Sequence, residues 1–159
     1  MSKTTPATLA LQKAGVAFTL STYAYDPDVD RIGLAAAEAL GVAPAMVFKT
    51  LMAEVDGKPA CVVLPSDREV SMKKLAAAIG GKSAQMLKPD AAERLTGYKV
   101  GGISPFGQKR RVPTVLEATA LALPAIFLNG GQRGLQIRLA PNDALKALGA
   151  IAADVLAER

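Results

Sequence analysis

The sequence contains no histidine and only one cysteine, Cys61. The missing histidines remove Ser-His-Asp triads, Cys-His dyads and imidazole metal ligands together. A catalyst made from this chain must use lysine, tyrosine, carboxylates, backbone amides or a group on its substrate. No tight cluster of aspartate and glutamate offers a carboxylate-only magnesium site, so neither a metal nor another cofactor is expected. A lone cysteine excludes an internal disulfide and any multi-cysteine zinc site. Cys61 lies in the apolar run CVVL and reads as a small buried hydrophobe. No apolar run reaches the roughly 18–20 residues that span a bilayer, so no membrane partner is expected. The start, MSKTTPATLALQKAG, lacks the continuous apolar stretch of a secretory signal. The expected compartment is the cytoplasm.

The chain has 159 residues, 50% of them hydrophobic, enough for one compact domain with a core and too few for two ordinary domains. Its net charge is +5. A moderately basic surface attracts polyanions, of which phosphate backbones are the commonest. Charge alone does not discriminate, because many basic proteins bind no nucleic acid.

Thr4 or Thr5 can cap a first helix, with Pro6 in its first turn and Gly15 past its end. Residues 16–25, VAFTLSTYAY, alternate and are rich in β-branched and aromatic types, which predicts a strand. DPDVD is turn-like, and RIGLAAAEAL predicts a helix ending at Gly41. Residues 47–55 and 59–65 read as strands joined by an Asp56-Gly57 hairpin. Ser71 opens a helix that stops at Gly80, and Pro89 starts a short one. PTVLEA, AIFLNGG and GLQIRLA are strand-like, Pro141 opens a helix through Leu148, and IAADVLAE extends or follows it. The expected fold is a mixed α+β domain around one twisted sheet with surrounding helices.

Three segments rise above a generic domain. In VFKTL, strand alternation puts Lys49 on the face of Val47 and Leu51. Such a lysine sits at a solvent rim or in a partly desolvated pocket, where it could grip a phosphate or an oxyanion. The run TGYKVGGISPFGQKRRVPT (96–114) holds four glycines and two prolines and carries the basic triplet Lys109, Arg110 and Arg111. Gly101 and Gly102 let a backbone approach a ligand closely, and successive N–H groups there can cradle an anion. Ser104 adds a hydroxyl. The plain alternative is a long solvated loop. In LNGGQRGLQIRL (128–139), Gly130, Gly131 and Gly134 surround Arg133. This is a glycine-rich hairpin or a second backbone wall, with Arg133 contacting phosphate or buttressing the loop. Neither glycine segment fits a Walker or dinucleotide fingerprint.

FKTL, the 96–114 run and GGQRGL, in this order and at these separations, resemble the YbaK/EbsC family. That family is close to the editing domain inserted in bacterial prolyl-tRNA synthetases. The N-terminal helix followed by TYAYDPD and the Asp-Gly hairpin after FKTL also look like it. The resemblance covers residues 4–155, one editing domain, and is strongest to the Cys-tRNA(Pro) deacylase branch. It implies an α+β fold and hydrolysis of the ester that joins a wrong amino acid to tRNA. It implies a pocket lysine at Lys49 beside Thr50, a pocket tyrosine at Tyr23, a glycine loop at Gly101–Gly102 with Ser104 adjacent, and a second at Gly130–Gly131 followed by Arg133. The basic triplet, placed after a glycine-rich loop, is expected on that placement to steer a phosphate backbone. The resemblance also implies binding of the tRNA acceptor end and a complex with prolyl-tRNA synthetase.

Two positions depart from the deacylase pattern. Asn129 stands where the pattern has a serine, and Gln136 where it has an aspartate. Both can form hydrogen bonds, but Gln136 cannot act as an anion or a base. The implied mechanism needs no protein nucleophile: the substrate's own thiol, or a water activated by a ribose hydroxyl, attacks the ester. A deacylase for another small amino acid such as alanine, a tRNA- or synthetase-binding module without chemistry, and a small-molecule hydrolase or phosphate-ligand binder remain the other readings.

Overall fold

The computed structural model describes residues 4–24 and 32–159. The expected DPDVD turn, Tyr25 and Arg31 lie outside the described residues.

The local signals act where the sequence places them. Thr5 caps α1 (Pro6–Lys13): its Oγ1 accepts from Thr8 N–H, while Thr8 Oγ1 accepts from Thr5 N–H. This reciprocal capping box satisfies two helix-end donors, and the helix buries Ala7, Thr8 and Leu11. The predicted strand at 16–25 shortens to β1 (Thr19–Thr22), and α2 spans Ile32–Leu40. β2 (Phe48–Val55) and β3 (Lys58–Pro65) form the hairpin across Asp56 (φ 51°) and Gly57 (φ 82°). Two consecutive positive φ values twist the chain in the sense that flanking strands need. Ser71 Oγ caps α3 (Met72–Ile79), and left-handed Gly80 ends it. Then come β4 (Ala84–Met86), α4 (Pro89–Thr96), β5 (Thr114–Glu117), β6 (Ile126–Asn129), β7 (Leu135–Leu139), α5 (Pro141–Leu148) and β8 (Ile151–Ala153).

The class is the expected mixed α+β, but the strands divide between two sheets. One has the order β4-β2-β3-β5-β8 and the other β1-β7-β6. Among the described residues one isolated parallel bridge, Val47 to Phe127, links them. β3 is central, antiparallel to β2 and parallel to β5, so both of its edges are paired, and its two faces pack into different clusters. Cys61 and Val63 pack with Leu11, Leu128 and Ile137, while Val62 and Leu64 pack with Leu75 of α3. Burying a leucine such as Leu64 contributes about 1.5–3 kcal/mol.

Two short strands differ from the expectation. IAADVLAE neither extends α5 nor forms a helix after it. Gly149 takes a left-handed conformation (φ 60°) that ends α5, and Ile151–Ala153 then pairs parallel with β5. β4, with no strand signal of its own, pairs with only Ala53–Val55 of β2. That short pairing matters for function. The half of β2 before Ala53 has no β4 partner beyond Leu87 N–H donating to Met52 O at 3.1 Å.

Candidate active site

Along this stretch of β2, paired with β3 on its other edge, lies a cavity of about 280 Å³. Val47 and Phe48–Met52 of β2 form its floor. Met86, Leu87, Pro89 and Ala92 close one side; Val100, Gly101 and Ile103 of the glycine loop form a second; Asn129 and Gln136 of the smaller sheet form a third. Five of the residues singled out in the sequence therefore meet here: Lys49, Thr50, Gly101, Asn129 and Gln136. The walls between them are largely apolar, which weakens competition from water and strengthens each polar contact.

Each polar group is placed differently. The Lys49 side chain is 24% exposed, and its ammonium lies 3.9 Å from Glu69 Oε1. Glu69 is 82% exposed, so this pair is weak. Thr50 and Gln136 are opposite in kind. Thr50 Oγ1 and Gln136 Oε1 are buried and have no hydrogen-bond partner among the described residues. A buried unpaired acceptor costs about 1–3 kcal/mol, a cost that a bound ligand's donor would remove.

Asn129 ties the glycine loops together. Its Nδ2 donates to Gly101 O at 3.1 Å, and its Oδ1 accepts from Gly131 N–H at 2.7 Å. The loops touch backbone to backbone: a Cβ on Gly102 would lie 3.0 Å from Arg133 N and from Gln132 C and Cα. Gly131 has φ 99°, and a Cβ there would come within 2.9 Å of the Tyr98 ring. Gly130 packs against Leu135, donates its N–H to Leu135 O and accepts from the Thr5 hydroxyl. Tyr98 braces the longer loop, donating from its phenol to Phe106 O at 2.6 Å. Burial pushes the Tyr98 phenol well above its ordinary value, so it stays protonated.

Other sequence candidates lie behind the cavity or away from it. Gly102 is buried and gives its N–H to Lys99 O at 2.8 Å. Ser104 is fully buried and accepts from Phe106 N–H at 3.2 Å. Tyr23 gives its N–H to Gly134 O at 2.9 Å and packs beside Val47 and Phe127. Arg133 is exposed, and its Nε donates to Val100 O at 2.9 Å. Of the sequence alternatives for Arg133, this bond is the buttressing one. Lys109, Arg110 and Arg111 are exposed, and Arg111 borders a separate hollow of about 430 Å³ together with Lys13. Cys61 is completely buried, and burial pushes its thiol up to about 12; it neither borders the cavity nor ionises near neutral pH.

The apolar wall was not singled out from sequence. Its signal was present: Val100 and Ile103 are apolar residues inside a glycine-rich loop, where a solvated loop would carry polar ones. The cavity's described lining contains no cysteine, serine or carboxylate. Its single hydroxyl, on Thr50, has no carboxylate among that lining to take its proton. The arrangement can bind, orient and polarise a ligand that brings its own reacting group.

Comparison with known proteins identifies the family. A sequence model of the aminoacyl-tRNA editing domain matches residues 26–147. EbsC of Enterococcus faecalis, named as a candidate Cys-tRNA(Pro)/Cys-tRNA(Cys) deacylase, is 44% identical over 107 residues. That match covers 66% of this chain and 65% of EbsC. The proline–tRNA ligase of Acidithiobacillus ferrooxidans is 31% identical over 87 residues, 55% of this chain and 15% of the ligase. The chain thus spans somewhat under two thirds of EbsC and a small part of the ligase. Among solved structures, one described as a candidate trans-editing enzyme for prolyl tRNA synthetase superposes with TM-score 0.84 at 23% identity, over 96% of both chains. A hypothetical protein superposes with TM-score 0.85 at 23% identity, over 96% of this chain and all of its own. At these identities the structural likeness is one of fold. By the extent of the sequence match, this chain belongs to the aminoacyl-tRNA editing domain family.

Proposed function

We propose that this chain, through a unit spanning residues 4–155, hydrolyses the ester of mischarged tRNA in trans, with Cys-tRNA(Pro) as preferred substrate. The observation that carries the reading is the cavity on β2. It presents one ammonium and several hydrogen-bonding groups, and its described lining has no side-chain nucleophile with a base. EbsC's name supports the choice of substrate, and the match to part of a proline–tRNA ligase supports the link to proline charging. Such a substrate places the protein in the cytoplasm, with prolyl-tRNA synthetase as a partner that supplies tRNA selectivity.

The physical motive is discrimination. Cysteine and proline are close in volume, and a pocket separates such side chains by only about 1–3 kcal/mol. Errors must then be removed after charging. In the cavity, Lys49 holds the terminal adenosine phosphate or the reacting end. The cysteine sulfur attacks its own ester carbonyl carbon, the bond from that carbon to the ribose oxygen breaks, and the proton leaving sulfur ends on the ribose oxygen. Water then adds to the carbonyl of the small cyclic thioester, breaks its carbon–sulfur bond and returns a proton to sulfur, giving free cysteine. Intramolecular attack brings an effective molarity on the order of 10⁵ M or more when well oriented, offset in part by the strain of the small ring formed. The oxyanion that develops is stabilised by the Gly101 N–H. One well-placed donor of this kind contributes about 3–4 kcal/mol. Thr50 and Gln136 meet donors on the aminoacyl group.

Release of free amino acid from Cys-, Ala- and Ser-charged tRNA(Pro), measured side by side, tests the reading. Release from the cysteinyl substrate alone identifies the thiol as attacking group. Equal release from all three identifies water activated by the ribose hydroxyl. Retention of tRNA without release from any of them contradicts the deacylase reading.

A further inference from the structure

The glycine loop holds its peptide groups in an unequal way. Val100 N–H donates to Glu93 Oε2 at 2.8 Å, and Gly102 N–H to Lys99 O at 2.8 Å. Gly101 O accepts from Asn129 Nδ2, and Val100 O from Arg133 Nε. Between them the Gly101 N–H donates to no partner among the described residues, and Gly101 borders the cavity. At φ 91° this position is one that a residue with a Cβ rarely adopts.

Val100 O and Gly101 N–H belong to one peptide plane. In a trans peptide, the carbonyl and the N–H of one plane point in opposite directions. A guanidinium gripping the carbonyl from one side therefore fixes where the N–H points on the other. It also draws electron density toward the carbonyl oxygen, which makes the N–H a stronger donor. The close backbone contact at Gly102 sets Arg133 at the distance this grip needs.

We infer that Arg133 is a positioning residue, acting through the Val100–Gly101 peptide to aim and polarise the Gly101 N–H toward the reacting carbonyl, rather than a phosphate ligand. The inference rests on the deacylase reading, which supplies the developing oxyanion. An exposed arginine beside an RNA site would ordinarily be assigned to the backbone phosphates. The two roles differ in what they change. A phosphate contact acts on tRNA affinity and on its salt dependence. Orientation of an oxyanion donor acts on the chemical step.

The test uses the full chain and Cys-tRNA(Pro), with kcat and KM measured at two salt concentrations for wild type, Arg133→Ala and Arg133→Lys. A companion measurement follows the Gly101 amide proton by NMR, with Arg133→Lys as the second variant should Arg133→Ala fold poorly. Arg133→Ala is expected to lower kcat roughly tenfold to a hundredfold, with KM changed by less than about twofold. The Gly101 amide proton moves upfield as its peptide loses polarisation. Arg133→Lys recovers only part of kcat, because a flexible ammonium does not reproduce the rigid Nε–H direction. A raised KM and a shallower salt dependence with kcat retained would overturn the inference in favour of a phosphate contact. An unmoved Gly101 resonance would overturn it as well. A wild-type protein that releases no amino acid contradicts the deacylase reading instead, and the NMR comparison still decides whether Arg133 controls the Gly101 peptide.

Discussion

Asn129 Nδ2 donates to the carbonyl oxygen of Gly101 at 3.1 Å, joining residues 28 positions apart in sequence. Because Asn129 Oδ1 also accepts from Gly131 N–H, one side chain sets the separation of the two glycine loops. Asn129→Ala removes both bonds and is expected to cost about 1–3 kcal/mol in stability. Its kcat falls further than its stability suggests, because Gly101 shifts. Asn129→Asp keeps an acceptor for Gly131 but turns a carboxylate toward the Gly101 carbonyl, so it is expected to fall below Asn129→Ala in kcat. Thermal melts paired with single-turnover deacylation check both orders.

Gln136 offers a prediction of the opposite sign. Its Oε1 is buried without a partner among the described residues, so the folded protein gains nothing from that atom. Gln136→Leu is expected to lose no more than about 1 kcal/mol and can gain stability by removing the unpaired acceptor. The same substitution raises KM for the aminoacyl substrate. Urea unfolding together with steady-state kinetics measures the two effects. A large loss of stability with unchanged KM would show that Gln136 serves the core rather than the ligand.

Much of the fold could be read ahead of the structure because its signals are local. Thr5 and Ser71 as caps, Gly80 as a left-handed stop, and Asp56-Gly57 as a hairpin all act within a few residues. β4 and β8 escaped because three residues carry no usable period, and each exists only through pairing with a distant strand. The division into two sheets escaped for the same reason: one bridge, Val47 to Phe127, decides it. Strand alternation offered the pocket as one of two places for Lys49, and the glycine loops as possible walls. The sequence could not say that Ser104 and Gly102 would turn inward while Gly101 faces the hollow. That choice depends on contacts between loops far apart in the chain, such as Gly102 against Arg133.

The hairpin turn makes a pH prediction. Asp56 accepts from Ser83 N–H at 3.0 Å and from Lys82 N–H, and these backbone donors hold its carboxyl below its ordinary 3.8. A carboxyl lowered in the folded state stabilises above its unfolded value, and that stabilisation is lost as pH falls through the folded one. The melting temperature of wild type is therefore expected to exceed that of Asp56→Asn at pH 7. The gap closes once pH drops below 3.8 and toward the folded value. A gap that stays constant across this window would rule out the carboxylate as its source.

The basic triplet lies away from the cavity, with Arg111 and Lys13 bordering the same hollow. Replacing Lys109, Arg110 and Arg111 together by alanine is expected to raise KM for charged tRNA while leaving kcat within about twofold. If all three meet single-stranded phosphates, the slope of log affinity against log salt falls by roughly 2. Titrations of tRNA at several salt concentrations measure that slope.

The central claim is that one main-chain donor, the Gly101 N–H, and one ammonium on β2 are all that the protein needs to supply for an aminoacyl ester to be cleaved by its own thiol. Single-turnover deacylation of Cys-tRNA(Pro) by wild type and Lys49→Ala, with circular dichroism on both, tests it most directly. The account predicts rapid release by wild type and a loss of at least about a hundredfold in a fully folded variant. A folded Lys49→Ala that deacylates at the wild-type rate would contradict it.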